Sequence, residues 1–102
     1  MAFKTAVKPT FTASVSIPVP GESDSPMTVT FLHKRKTELR EWIDASKDKD
    51  DLAALIEVMQ GWDADSPFSE SALRNLLEDF PGAALALYRA YIEESTGAAR
   101  KN

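Results

Sequence analysis

A change in the spacing of apolar residues constrains the fold of this chain most, because it separates a front half from a rear half. Between residues 11 and 19 every second position is apolar, and threonine, serine and proline lie between. Residues 27–31 repeat this period of two with methionine, valine and phenylalanine. Because successive side chains of a strand point to opposite faces, each run predicts a strand with one apolar face.

A proline-rich segment separates the two predicted strands. Residues 18–26 contain three prolines and a Pro-Gly pair, which is a turn signal. Each proline lacks the backbone donor that a strand ladder requires. The sequence therefore predicts an antiparallel hairpin over residues 11–33 with a long, mobile tip. A lone hairpin is marginally stable in water, so its apolar face requires a cover from the rear half.

The rear half carries apolar residues at the three- and four-residue spacing of helices. Four short helices are predicted: one over residues 37–45, one capped by Asp48 and ended by a left-handed Gly61, one beginning at Ser69, and one with Pro81 in its first turn that ends near Gly97. Trp62 is expected to fold back over Ile56 and to be largely buried.

These patterns together predict an α+β fold, in which an N-terminal antiparallel β-hairpin is followed by about four short packed α-helices. A chain of 102 residues can bury one modest core. We expect a single domain over residues 11–96, with the hairpin at 11–33 and the helical part at 37–96. Residues 1–10 are expected to be flexible, and residues 97–102 are expected to be disordered.

The composition excludes several kinds of site. The chain has no cysteine and one histidine, which rules out disulfides, thiolate metal sites, a cysteine nucleophile and a multi-histidine site. The net charge of −4 disfavours a free-standing nucleic-acid binder. No apolar run approaches the roughly 18–20 residues of a membrane span. We expect a soluble protein with no cofactor, metal, nucleic-acid or membrane partner.

No group of residues forms a recognisable catalytic set. His33 follows a predicted strand among cations and is expected to be exposed. Residues 63–66 (Asp-Ala-Asp-Ser) begin like a calcium loop, but Phe68 and Arg74 occupy the positions where that loop needs glycine and glutamate. We therefore expect a protein that is not an enzyme.

The aromatic residues of the rear half are the remaining functional signal. Tyrosine and tryptophan often anchor interfaces, although in a small domain they also build the core. The fourth helix is apolar on more than one face. This pattern predicts either a partly exposed Tyr88 or Tyr91, or a central helix that is covered on both sides. The candidate surface for a partner or a second copy comprises Tyr88, Tyr91, Trp62 and Phe68.

The rear half also carries short motifs in a fixed order. They are Gly61-Trp62-Asp63, Pro67-Phe68-Ser69, Ala72-Leu73-x-x-Leu76-Leu77, Phe80-Pro81-Gly82 and Leu87-Tyr88-x-x-Tyr91. In order and spacing they resemble the tail assembly chaperones of long-tailed bacteriophages. The front half agrees through its Ile-Pro-Val-Pro-Gly turn, so the resemblance covers about residues 11–95. The loop at residues 64–66 is shorter than the family pattern.

The resemblance implies a non-enzymatic chaperone that binds the tape measure protein, a long helical chain, and keeps it soluble until tail tube subunits polymerise around it. It further implies contacts with the tail tube protein, with a longer frameshifted form and with other copies in a homo-oligomer. Such a protein, encoded by a phage or prophage, acts in the host bacterial cytoplasm and is absent from the mature virion. The alternative is a structural virion tail or connector subunit that joins a ring through strand edges.

Overall fold

The computed structural model describes residues 2–98, which form an antiparallel sheet and four helices. The elements in chain order are β1 (Thr10–Ile17), β2 (Ser25–Leu32), α1 (Lys36–Ser46), α2 (Asp51–Ile56), β3 (Met59–Trp62), α3 (Glu70–Asp79) and α4 (Ala83–Thr96). This architecture confirms the predicted α+β fold. The sheet contains one more strand than the predicted hairpin.

The hairpin forms where the alternation predicts it. β1 pairs antiparallel with β2 over its full length, from Thr10 opposite Leu32 to Ile17 opposite Ser25. Its closing turn places Gly21 at a φ of 77°, a left-handed conformation that glycine adopts without strain. Ser25 and Pro26, which the sequence assigns to the tip, belong to β2. Pro26 is tolerated there because it lies near the first residue of the strand.

The third strand corrects the prediction that a helix continues through Met59 to a left-handed Gly61. β3 pairs antiparallel with β2, with Gly61 opposite Thr30 and Trp62 opposite Val29. Among the described residues only Gly21 and Gly97 have a positive φ, so Gly61 does not stop a helix. β2 pairs with β1 on one side, and its other side has free backbone hydrogen-bonding groups. Residues 59–62 pair with these groups and form a strand, although the spacing of their side chains is helical.

The first two helices have caps that differ in part from prediction. α1 extends the predicted helix by one residue at each end, and Glu38 accepts a hydrogen bond from the backbone of Arg35 at 3.0 Å. The cap of α2 is Asp50 rather than Asp48, because its carboxylate accepts a 2.7 Å hydrogen bond from the backbone of Ala53. Residues 47–49 form the turn that precedes α2, so Asp48 lies outside the helix cap.

The last two helices begin and end close to the predicted positions. Ser69 caps α3 by accepting a 3.0 Å hydrogen bond from the backbone of Ala72, as predicted. Pro81 lies two residues before α4 rather than in its first turn, because the helix begins at Ala83 and its cap is Gly82. Gly97 ends α4 in a left-handed conformation with φ of 78°. The predicted end near Gly97 is therefore confirmed.

The core lies between one face of the sheet and the helices. The buried apolar residues are Ala13, Val15, Ile17, Met27, Val29, Phe31, Leu39, Trp42, Ala54, Leu55, Val58, Met59, Leu73, Ala83, Leu87 and Tyr91. The strand positions alternate, so the opposite face of the hairpin exposes Thr12, Ser14, Ser16 and Thr28. α4 packs against β1 through Ala83, Leu87 and Tyr91, which are spaced four residues apart and share one helix face.

The two ends of the chain differ from the core. Residues 2–9 precede β1 and are exposed, without regular secondary structure. Whether they are flexible stays a prediction. Gly97 and Ala98 form a turn, and the rest of the predicted disordered tail, residues 99–102, lies outside the described residues. No helix within residues 2–98 has the length and apolarity to cross a membrane.

Candidate functional site

Tyr91 lies at the centre of an aromatic cluster in the core. Its ring centroid is 5.0 Å from those of Phe31 and Trp42, and it stacks on Phe11 at 6.0 Å with an interplanar angle of 8°. The side chain is 0% exposed. Its hydroxyl donates a 2.9 Å hydrogen bond to the backbone carbonyl of Leu32. Tyr91 therefore joins α4 to the sheet and has no surface to offer a partner.

The hydroxyl of Tyr91 is held in its neutral form. Burial raises its pKa from the ordinary 10.0 to about 12, because a phenolate inside the core would lose its hydration. The neutral hydroxyl supplies the proton of the bond to the Leu32 carbonyl. At neutral pH the protonated hydroxyl therefore stabilises the contact between α4 and the sheet.

Tyr88 lies one helical turn earlier and is half-buried. Its ring centroid is 5.6 Å from that of Trp42. Burial raises its pKa, and the carboxylates of Asp51 and Asp50 raise it further. The expectation of a partly exposed tyrosine on α4 is therefore met at Tyr88 and is wrong for Tyr91. A role for Tyr88 in binding stays a prediction.

Trp62 is only half-buried, and it lies at the end of β3 rather than folded over a helix end. Its indole N–H donates a 2.7 Å hydrogen bond to the backbone carbonyl of Ser66. Phe68, also half-buried, meets the Trp62 ring edge-on with centroids 5.2 Å apart. The structure thus brings together two of the four candidate residues, away from the tyrosines of α4.

The loop between β3 and α3 fixes the positions of these two rings. At its start, the backbone N–H of Asp63 donates to the carbonyl of Thr28 at 3.1 Å, and the Asp63 carboxylate accepts from the N–H of Thr28 at 2.8 Å. At its end, Ser69 caps α3. Since both ends are hydrogen-bonded, the loop presents Trp62 and Phe68 from anchored backbone.

Two grooves flank this loop. One, of about 400 Å³, runs between the loop and the end of the hairpin and is lined by Ile17, Val19, Ser25, Pro26, Met27, Asp63, Ala64, Asp65, Leu76 and Phe80. The other, of about 420 Å³, runs between the loop and α3 and includes Trp62. Both grooves share Ala64, Asp65, Leu76 and Phe80. Exposed carboxylates of Asp63, Asp65 and Asp79 lie at the rims.

We call the half-buried apolar set Trp62, Phe68, Leu76 and Phe80 the loop surface. Leu76 and Phe80 have the spacing of a single helix face with Leu73, and this spacing by itself would place all three in the core rather than at a groove. In fact Leu73 is the one fully buried residue of that helix. The signal was available in the wide apolar stripe of α3, which is broader than one buried contact requires. The arrangement of the loop surface beside two grooves suits the binding of apolar side chains from a partner.

The other candidates from the sequence form no comparable site. His33 is exposed after β2, as predicted, beside a polar cleft of about 410 Å³ that also contains Glu38, Glu41 and Lys49. Within residues 2–98, no group of three or more histidine, aspartate or glutamate side chains is arranged to hold a metal ion. The Asp63 carboxylate, the first of the calcium-like motif, is used to bond β2.

Comparison with known protein families places this fold and its loop surface in a wider group. A family model described as phage tail assembly chaperone matches residues 1–102, the whole length of the chain. Searches of curated proteins and of solved structures found no match. The family match therefore spans the sheet, all four helices and the loop surface.

Proposed function

We propose that this chain, which belongs to the phage tail assembly chaperone family, binds the tape measure protein and keeps it soluble during tail assembly, without catalysing a reaction. The observation that carries this proposal is the loop surface. It is an anchored, half-buried apolar patch with two grooves, and its side chains pack against the edge of the core while part of their area stays exposed.

The shape and chemistry of the loop surface suit a helical client. An amphipathic helix docks by laying a stripe of apolar side chains into a groove. Trp62 and Phe68 supply aromatic area at one side of the loop, and Leu76 and Phe80 supply the groove floor. Aromatic anchors of this kind carry much of the free energy of binding at protein interfaces.

The acidic rim adds a requirement on the client. Asp63, Asp65 and Asp79 are exposed around the grooves. They favour client segments in which lysine or arginine flanks the apolar stripe, since complementary charge guides association. The remaining net negative charge keeps coated client molecules apart in solution. Many copies bound along one long client would act together through avidity.

The test is co-expression of the chain with a tape measure protein, followed by gel filtration of the soluble fraction. The native chain is expected to keep the client soluble and to elute with it. Phe68→Ala is expected to release the client into the insoluble fraction. The substitution removes one of the two aromatic rings of the loop surface and leaves the Trp62 ring without its edge-on neighbour. Ile43→Ala, another half-buried apolar residue but one on α1 and outside the loop surface, serves as the matched control.

The outcomes are separable. Both variants must remain folded by circular dichroism. A client that precipitates with Phe68→Ala but not with Ile43→Ala supports the loop surface. If Tyr88→Ala alone releases the client, the site lies on α4 instead. If the native chain leaves the client insoluble and forms no complex, the proposed function is wrong, and abundance of the chain in purified virions would then favour the structural-subunit alternative.

A further inference from the structure

Three large apolar side chains of the described residues are strongly exposed, and they fall in two places. Phe3 is 87% exposed and Val7 is 69% exposed, and both precede β1. Leu85 is 61% exposed and lies on α4. The loop surface includes none of them. Exposing large apolar side chains to water is unfavourable in free energy, and a binding partner that covers them would remove this unfavourable exposure.

The segment that carries Phe3 and Val7 has the pattern of a strand without a partner. We call residues 2–9 the arm. Phe3, Thr5 and Val7 alternate with Lys4, Ala6 and Lys8, so an extended arm would present an aromatic and β-branched face. All of its residues are exposed. The arm is therefore suited to pair with a strand edge.

The sheet offers such an edge at β1. The strand order is β1-β2-β3, so within residues 2–98 β1 pairs on one side alone. A groove of about 390 Å³ follows this edge between β1 and α4, and its lining includes Ser14, Pro18, Asp24, Leu85, Arg89 and Glu93. An added strand would gain backbone hydrogen bonds from β1 and apolar contact with Leu85.

The arm does not reach this groove on its own molecule in the observed conformation. The carbonyl of Pro9 accepts a 2.8 Å hydrogen bond from the backbone of His33, which continues the pairing of β1 with β2 beyond Thr10. The arm therefore leaves the sheet at the Thr10 end of β1, where the backbone bends at Pro9. The groove lies beside the distant half of β1, from Ser14 to Pro18. No residue of the arm lines the groove, which is therefore open to a segment of another molecule.

We propose that the occupant is the arm of a second copy of this chain, added as a strand to the open edge of β1. The apolar side chains agree, since the arm exposes Phe3 and Val7 and the groove exposes Leu85. The charges agree as well. The arm carries Lys4 and Lys8 and no carboxylate, and the groove is lined by the carboxylates of Asp24 and Glu93 together with one cation, Arg89. Reciprocal exchange of two arms closes a two-fold dimer, in which each copy gives one arm and receives one.

This surface is separate from the one proposed for the client. The groove beside β1 shares no lining residue with either groove at the loop surface. Association between copies and binding of the tape measure protein therefore depend on different residues. Dimers formed in this way would carry two loop surfaces and would bind a repetitive client with avidity.

Sedimentation equilibrium of the full chain over a range of concentrations tests the proposal. A concentration-dependent dimer is expected. Val7→Ser in the arm and Leu85→Ser in the groove are each expected to weaken it at least about tenfold, equivalent to ~1.4 kcal/mol. Thr5→Ser in the arm and Ala53→Ser on the exposed face of α2 are the matched controls. A chain that stays monomeric throughout, or a dimer that Val7→Ser and Leu85→Ser leave intact, overturns the proposal.

A crosslinking experiment tests the pairing directly, because the native chain has no cysteine. Chains carrying Val7→Cys are mixed with chains carrying Leu85→Cys and oxidised mildly. A disulfide-linked heterodimer is expected in excess over that formed between Val7→Cys and Ser71→Cys, a control position exposed on α3. Equal yields in the two mixtures would show that the arm does not select the groove. Client solubilisation by Leu85→Ser is expected to persist in the co-expression assay, which separates this proposal from the first.

Discussion

The aromatic cluster around Tyr91 and the Trp62–Phe68 pair use the same types of residue in opposite ways. In the cluster, the rings lie between α4 and the inner face of the sheet, and the Tyr91 hydroxyl bonds to a strand carbonyl. In the pair, the indole N–H donates to a carbonyl in its own loop and both rings stay only half-buried. Aromatic content alone therefore does not distinguish a core from a docking surface. The elements that cover the rings do.

Tyr91→Ala is expected to produce the largest loss of stability, about 3–5 kcal/mol, because it leaves a cavity among Phe11, Phe31 and Trp42. That loss is a large part of the total stability of a small domain. Urea denaturation followed by circular dichroism measures it. Tyr91→Phe keeps the ring and is expected to cost only about 1 kcal/mol through the lost hydroxyl bond. If the alanine variant were as stable as the phenylalanine variant, the Tyr91 ring would not contribute to the packing of the core.

Alkaline pH is expected to destabilise the cluster next most strongly. The unfolded tyrosine loses its proton near a pKa of 10.0, whereas folded Tyr91 holds it to a pKa of about 12. The folded state therefore binds more protons in this window, and stability falls as pH rises from 10 towards 12. The loss is roughly 2–3 kcal/mol.

Denaturation midpoints measured across that window check the alkaline effect. The native chain should lose stability more steeply than Tyr91→Phe, which lacks the titrating group. Equal slopes for the two proteins would mean that the Tyr91 hydroxyl is not held neutral by burial.

Trp62→Ala is expected to have a smaller effect, about 1–2 kcal/mol, because the ring already contacts water on one side. The burial expected from the sequence would have made the loss comparable to that of Tyr91→Ala. A double-mutant cycle with Phe68→Ala is expected to give a coupling of roughly 0.5–1.5 kcal/mol from the edge-on contact of the rings. A loss near 4 kcal/mol for Trp62→Ala would return Trp62 to the core and weaken the case for the loop surface.

The same small substitution in each region sharpens the comparison. In Gly82→Ala, at the start of α4, the new Cβ would meet Cγ and Cβ of Pro18 at 3.0 and 3.1 Å. In Gly61→Ala, beside Trp62, the new Cβ would meet nothing within 4 Å. We expect Gly82→Ala to lower the free energy of unfolding by about 1 kcal/mol. Gly61→Ala should change it by less than about 0.5 kcal/mol. Thermal denaturation of both variants checks this, and a reversed order would contradict the packing of α4 on the hairpin.

Local signals in the sequence predicted much of the fold. The alternation from residue 11 onward located β1 and β2, since one face of a strand must be apolar to be buried. Ser69 marked the start of α3 and Gly97 the end of α4, because capping and left-handed termination depend on a few adjacent residues. The short motifs between residues 61 and 91 also indicated the family that the match over the whole chain establishes.

Long-range contacts decided the rest. Met59 and Trp62 have helical spacing from Leu55, yet they form β3 because the free edge of β2 supplied backbone partners. Tyr88 and Tyr91 are one turn apart, and only the position of the sheet decided that Tyr91 is buried and Tyr88 is not. The sequence by itself determined β1, β2, most helix ends and the family. The tertiary structure decided which apolar side chains stay exposed, because burial depends on neighbours that are distant along the chain.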